Sequence, residues 1–212
     1  MTEKTMGLTK KHIIRTILFA VLTGALIAAD QFVKTLVKTN ISYTNGSITV
    51  IPNFFEIVHW HNDGGMWGLF PGKVIPLAIL ASIAAVLLLL FAGCARHWLS
   101  QLGLFLILAG AVGNVIDRFK YGYVIDFLSF NFWGYQFPAF NIADSCVVIG
   151  AIVMIVFMLF CVKSDTRIFI EGSPMRRIAE RAEARKAEKE ARKQADEAEN
   201  EENTENTDNT QK

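Results

Sequence analysis

Twenty-two consecutive residues, Val74 to Ala95, carry no charge. As a helix such a run rises about 33 Å, enough to cross the hydrocarbon core of a bilayer. Two more uncharged runs follow, 19 residues from Trp98 to Ile116 and 18 from Ser145 to Val162. A shorter apolar run, Ile13 to Ala29, sits behind a basic prefix of Lys4, Lys10, Lys11 and Arg15, as in a secretory signal. No small-residue cleavage site leads from it into a soluble domain and further spans follow, so it reads as an uncleaved first helix.

The chain therefore reads as a membrane protein, mainly α, with four transmembrane helices. The net charge of +1 is a sum over unlike parts and points to no partner. Residues 1–12 form a short basic N-terminus, 13–163 the four-helix membrane domain, and 164–212 a charged tail. Basic residues near the helix ends set orientation. With the N-terminus inside, nine fall on the cytoplasmic side (Lys4, Lys10, Lys11, Arg15, Arg96, Lys163, Arg167, Arg176, Arg177) and five outside (Lys34, Lys38, Lys73, Arg118, Lys120). Both termini are then cytoplasmic, and Asp30, Asn62, Asp117, Arg118, Asp126 and Asp144 lie toward the outer face.

The outer segment, about residues 30–72, contains "SITVIPNFFEIVHWHNDGG", rich in β-branched and aromatic residues with a turn signal at Asn45-Gly46. It predicts a small extracytoplasmic sheet on the bilayer surface. Lys120 to Phe140 is aromatic-rich and suits the membrane–water interface. His59 and His61 alternate on one strand face; a metal pair would need a third ligand, so surface or headgroup contact is the reading taken. Trp60 and Trp67 read as interfacial anchors. Cys94, Cys146 and Cys161 lack CxxC spacing and read as small buried residues. No internal repeat is evident, which argues against an inverted-repeat transporter.

In the tail, Arg177, Arg181, Arg185, Lys189 and Lys193 recur every fourth residue of an Ala/Glu/Arg/Lys helix. A membrane-surface stripe and a solvated charged helix both remain open. Seven acids from Asp196 onward, with Lys212 the only base, predict a disordered end.

Polar residues gather where the third and fourth spans meet the outer face. Asn114, Asp117 and Arg118 sit at i, i+3 and i+4 on one helix, and Asn141 and Asp144 at i, i+3 open the next, with Asp126 between. If these helices pack together, Asp126 and Asp144 can approach and share a proton. One member would then activate water while the other polarises a carbonyl. The residues alone leave three readings open: an aspartic-type hydrolase, a structural polar cluster in a non-enzymatic scaffold or small transporter, and ion or proton conduction. The absence of ionisable residues at mid-span opposes the last.

"GNVIDRFKYGYVIDFLSF" followed by "FPAFNIADSCVVIGAIV" resembles the two signature blocks of the lipoprotein signal peptidase (signal peptidase II) family. The pattern runs GNxxDR, then GxVxDF, then FNxADS before the last helix. "DQFVK" after the first span and "HNDGGMWGLF" before the second match two weaker blocks, Trp67 standing where Phe is common. The resemblance covers about residues 13 to 163. It implies that Asp126 and Asp144 are catalytic and that Asn62, Asn114, Arg118 and Asn141 line the substrate site. Asp30, Asp117 and Gly65 are read as structural support. It further implies a monomeric endopeptidase of the bacterial cytoplasmic (inner) membrane, working without metal or cofactor and without nucleic acid. Its substrates would be diacylglyceryl-modified prolipoproteins, cut just before the lipidated cysteine near the outer face, among membrane lipids.

Overall fold

A computed structural model describes residues 2–43, 46–65, 72–161, 177–178 and 180–194. The chain divides into two compact units, Met1–Ile168 and Phe169–Lys212. The first runs α1 (Thr2–Asn40), β1 (Ser47–Ile51), β2 (Phe55–Asn62), α2 (Val74–Cys94), α3 (Trp98–Tyr121), β3 (Val124–Phe132), β4 (Tyr135–Phe140) and α4 (Ile142–Phe160). Among the described residues, four helical stretches are long and apolar enough to cross a membrane: Lys10–Asn40, Val74–Cys94, Trp98–Tyr121 and Ile142–Phe160. Large apolar side chains such as Leu18, Leu80, Ile83, Ile152 and Leu159 point outward, as a lipid solvent permits.

α3 is the central helix, packed on α1, α2 and α4. Lipid tails are as apolar as leucine, so helices in a bilayer associate by close packing of small residues. α3 and α4 do so through Gly110 and Gly150. A Cβ on Gly110 would overlap the Ala143 carbonyl, and one on Gly150 would lie 2.8 Å from the Gly103 carbonyl. At the far end from the sheet, Arg15 reaches the α2–α3 turn, donating to Gln101 Oε1 (2.5 Å) and the Arg96 carbonyl (2.9 Å). Gln101 in turn donates to Thr16 Oγ1 (2.7 Å) and the Ala92 carbonyl (3.1 Å), so its buried amide is satisfied.

The four strands make one antiparallel sheet, ordered β1-β2-β3-β4. It is built from the segments that follow α1 and α3, because β2 pairs with β3 (Trp60 opposite Asp126). β3 and β4 are joined through Trp133 (φ 51) and Gly134 (φ 93), the two positive φ angles that a tight hairpin needs. α1 continues as helix through Asp30 and Lys34 to Asn40, beyond the point where the sequence places the outer segment. Val37 in its last turn and Ile41 just beyond it are buried against Ile125 and Phe127 of β3, which seats the sheet on the bundle.

Candidate active site

Two helix ends and two strands bring the polar residues together. Asn141 is the N-cap of α4: its side-chain oxygen accepts from the Asp144 amide (2.9 Å), and Asp144 Oδ2 accepts from the Asn141 amide (3.1 Å). This reciprocal capping box satisfies amides that a helix start otherwise leaves open. The same Asn141 donates through Nδ2 to Asp126 Oδ1 at 2.6 Å. Asn62, at the end of β2, donates to Asp126 Oδ2 (3.1 Å), and Asn114 on α3 donates to Asp144 Oδ1 (2.8 Å). Each carboxylate thus receives one amide hydrogen on each oxygen, and Asn141 touches both.

Asp126 is 2% exposed. Burial, followed by repulsion from Asp144, pushes its carboxyl up to about 7, against the pull of the Asn62 and Asn141 hydrogen bonds. It can therefore carry a proton near neutrality.

Beneath the pair lies a cation that sequence reasoning counted only as an outer-face charge. Lys34 is buried, and its ammonium donates to Asp30 Oδ2 (2.8 Å), Asp117 Oδ2 (2.9 Å) and Asn114 Oδ1 (3.1 Å), using all three of its hydrogens. Asp30 Oδ1 accepts from the Ala143 amide (2.9 Å) in the first turn of α4. Asp117 accepts from Gln31 Nε2 (2.8 Å) and from the Ile125 amide (3.2 Å), next to Asp126 in β3. One ammonium thereby ties α1 to α3, and its two acids tie those helices to α4 and β3. It also orients Asn114, whose oxygen faces Lys34 while its nitrogen faces Asp144. The available signal was the acid–base order Asp30, Lys34 at i, i+4.

Arg118 bridges α3 to the turn after β2. Its Nη2 donates to the Gly64 carbonyl (2.8 Å) and Nη1 to the Asn114 carbonyl (3.3 Å), while its buried Nε has no partner among the described residues. Asn62 closes the same turn, accepting from the Gly64 amide (3.0 Å) and donating to the Gly65 carbonyl (3.4 Å). Trp67 and the end of the tail lie outside the described residues.

His59 does not lie on the surface as the alternation suggested, and His61 is half-buried. His59 is buried and donates from Nδ1 to the Ile41 carbonyl (2.9 Å), leaving its Nε2 to face His61 Nε2 at 3.1 Å. The His61 ring stacks between Tyr43 (3.8 Å) and Tyr123 (3.6 Å). The pair fastens the sheet to the end of α1. Among the described residues, no group of three His, Cys, Asp or Glu side chains is arranged to hold a metal ion.

The family described as Signal peptidase (SPase) II matches residues 22–160, which carry all of these groups. The chain belongs to the signal peptidase II family. It is therefore a membrane peptidase, and Asp126 of β3 and Asp144 of α4 lie within the matched region. A lipoprotein signal peptidase of Desulforapulum autotrophicum is 42% identical over 142 residues, covering 64% of this chain and 87% of that one. One from Lactobacillus gasseri is 36% identical over 153 residues, covering 71% and 97%. A solved bacterial membrane enzyme superposes with a TM-score of 0.63 at 34% identity, covering 74% of this chain and 94% of that chain. The family match ends at residue 160, the last residue of α4.

Proposed function

We propose that this signal peptidase II removes signal peptides from diacylglyceryl-modified prolipoproteins by an aspartic mechanism, with Asp126 and Asp144 as the catalytic pair. The observation that carries this reading is the bridge by Asn141, which hydrogen-bonds both carboxylates while burial and Asp144 hold Asp126 near pKa 7. Two buried acids so coupled share one proton. The ionised member takes a proton from water as the water oxygen bonds to the scissile carbonyl carbon. The protonated member donates to the carbonyl oxygen. Collapse of the tetrahedral intermediate breaks the C–N bond, and the departing nitrogen takes up a proton from the pair.

Asn62, Asn114, Asn141 and Arg118 orient the carboxylates and the substrate backbone. Asp30, Asp117 and Gly65 support the site without touching substrate. All these groups come from one chain, which fits a monomer. The dyad sits at one end of the bundle, and Arg15 and Arg96 at the other. By the positive-inside rule the basic end is cytoplasmic, so the dyad faces the outer side of the bacterial cytoplasmic membrane. A substrate held in the bilayer by acyl chains presents its scissile bond there.

The test is cleavage by the purified protein of a prolipoprotein with and without diacylglycerol on its cysteine, followed by mass spectrometry. A cut immediately before the cysteine, dependent on the lipid, is expected. Equal cleavage of the unmodified precursor, or no cleavage of either, would contradict the reading.

A further inference from the structure

The tail lies beyond the matched family region, which ends at residue 160. Residues 177–178 and 180–194 are helical and exposed throughout. The sequence 177–194 carries seven basic and four acidic side chains. At 3.6 residues per turn they separate by face. Arg177, Arg181, Arg185 and Lys189 form a drifting stripe, Arg192 falls within it, and Lys186 and Lys193 mark one edge. Glu188 is the only acid in that half. Glu180, Glu183 and Glu190 occupy the opposite half, and Lys186 pairs with Glu190 (4.0 Å) where the halves meet. A helix adapted only for solubility would intersperse its charges.

We infer that the basic face of this tail helix docks on an anionic lipid surface, the headgroup layer of the leaflet on its own side of the membrane. Charge complementarity selects this partner, because anionic headgroups attract juxtamembrane Lys and Arg within a Debye length. Sixteen residues separate Phe160, the end of the last span, from Arg177, so the surface is always at high effective concentration. Ile178 is the only large apolar residue among the described tail residues. The helix therefore rests at headgroup depth, held by charge and sensitive to salt, and does not insert an apolar face as amphipathic anchors do. The acidic segment from Asp196 is the competing occupant within the chain.

Which leaflet is contacted depends on the proposed orientation; the docking itself does not. Full-length protein in nanodiscs has the same lipid on both faces, so amide exchange over 177–194 reads docking independently of topology. Exchange slower by at least about tenfold in phosphatidylglycerol-containing discs than in pure phosphatidylcholine discs is expected. The difference should vanish in 1 M salt and in the triple variant Arg181→Glu, Arg185→Glu, Lys189→Glu, whose prolipoprotein cleavage should be unchanged. Equal exchange in the two lipids overturns the inference, as does slow exchange in both that is relieved by deleting residues 196–212. Slow exchange in phosphatidylglycerol that survives the charge reversal also overturns it.

Discussion

Asn141 donates its side-chain amide to Asp126 at 2.6 Å while its backbone amide donates to Asp144 at 3.1 Å, so the residue that starts α4 also joins the two acids. Helix capping and the geometry of the pair are one structure. Asn141→Ala should lose the cap, worth about 1 kcal/mol. It should also lower kcat by roughly a hundredfold or more, because a misplaced carboxylate costs far more in rate than in folding. Thermal unfolding in detergent alongside steady-state cleavage checks both. A large loss of stability with an unaltered rate would separate the cap from the chemistry.

The pH profile should carry the signature of Asp126. With its carboxyl near 7, activity requiring that proton should decline above about pH 7 in kcat/KM, which reports the free enzyme. The Asn62 hydrogen bond favours the charged form, so Asn62→Ala should move this alkaline limb to higher pH. The same shift has a stability consequence. The folded value lies above the ordinary 3.8, so the contribution of Asp126 is full below 3.8 and is lost as pH rises through 7. The melting temperature should fall across that window, and Asp126→Asn should flatten that part of the slope.

Lys34 has two acids to compensate. Lys34→Met leaves Asp30 and Asp117 buried without a counterion, which should cost about 3–5 kcal/mol of stability. Adding Asp117→Asn should recover part of the loss by removing one stranded charge. Thermal melts of the two variants decide this; if the single variant melts like the parent, the ammonium is not the hub of the site.

Much of the fold was legible where the physics is local. Charge-free runs mark three spans because a bilayer tolerates nothing else over that length, and the motif residues Asp126 and Asp144 do converge. What stayed hidden depends on contacts distant in sequence. Nothing local in β2 says that it pairs with β3, because the register Trp60–Asp126 joins segments on either side of two helices. Lys34 looked like an exposed charge because its partners Asp117 and Asn114 lie some eighty residues away. The helical continuation of α1 to Asn40 is hidden for the same reason: the charge of Lys34 is met by Asp117 and Asn114 of α3 as well as by Asp30. His59 and His61 alternate as expected on a strand, but the tyrosines that enclose His61 come from two other segments.

Close approach of α3 and α4 gives a sharp contrast between two glycines. Gly110→Ala should destabilise by about 1–3 kcal/mol, because its Cβ would meet the Ala143 carbonyl at the start of α4. It should also impair cleavage by displacing Asp144. Gly24→Ala in α1, where nothing lies within 4 Å of the added carbon, should be neutral or slightly stabilising. Paired melting curves suffice.

The central claim concerns two carboxylates, and the most direct measurement is cleavage of a diacylglyceryl-modified precursor by Asp126→Asn and Asp144→Asn in matched lipid. Asparagine keeps the size and most of the hydrogen bonding but can neither ionise nor share a proton. Each variant should remain folded in the membrane and lose cleavage to background. Processing at the parental rate by either one would contradict the account.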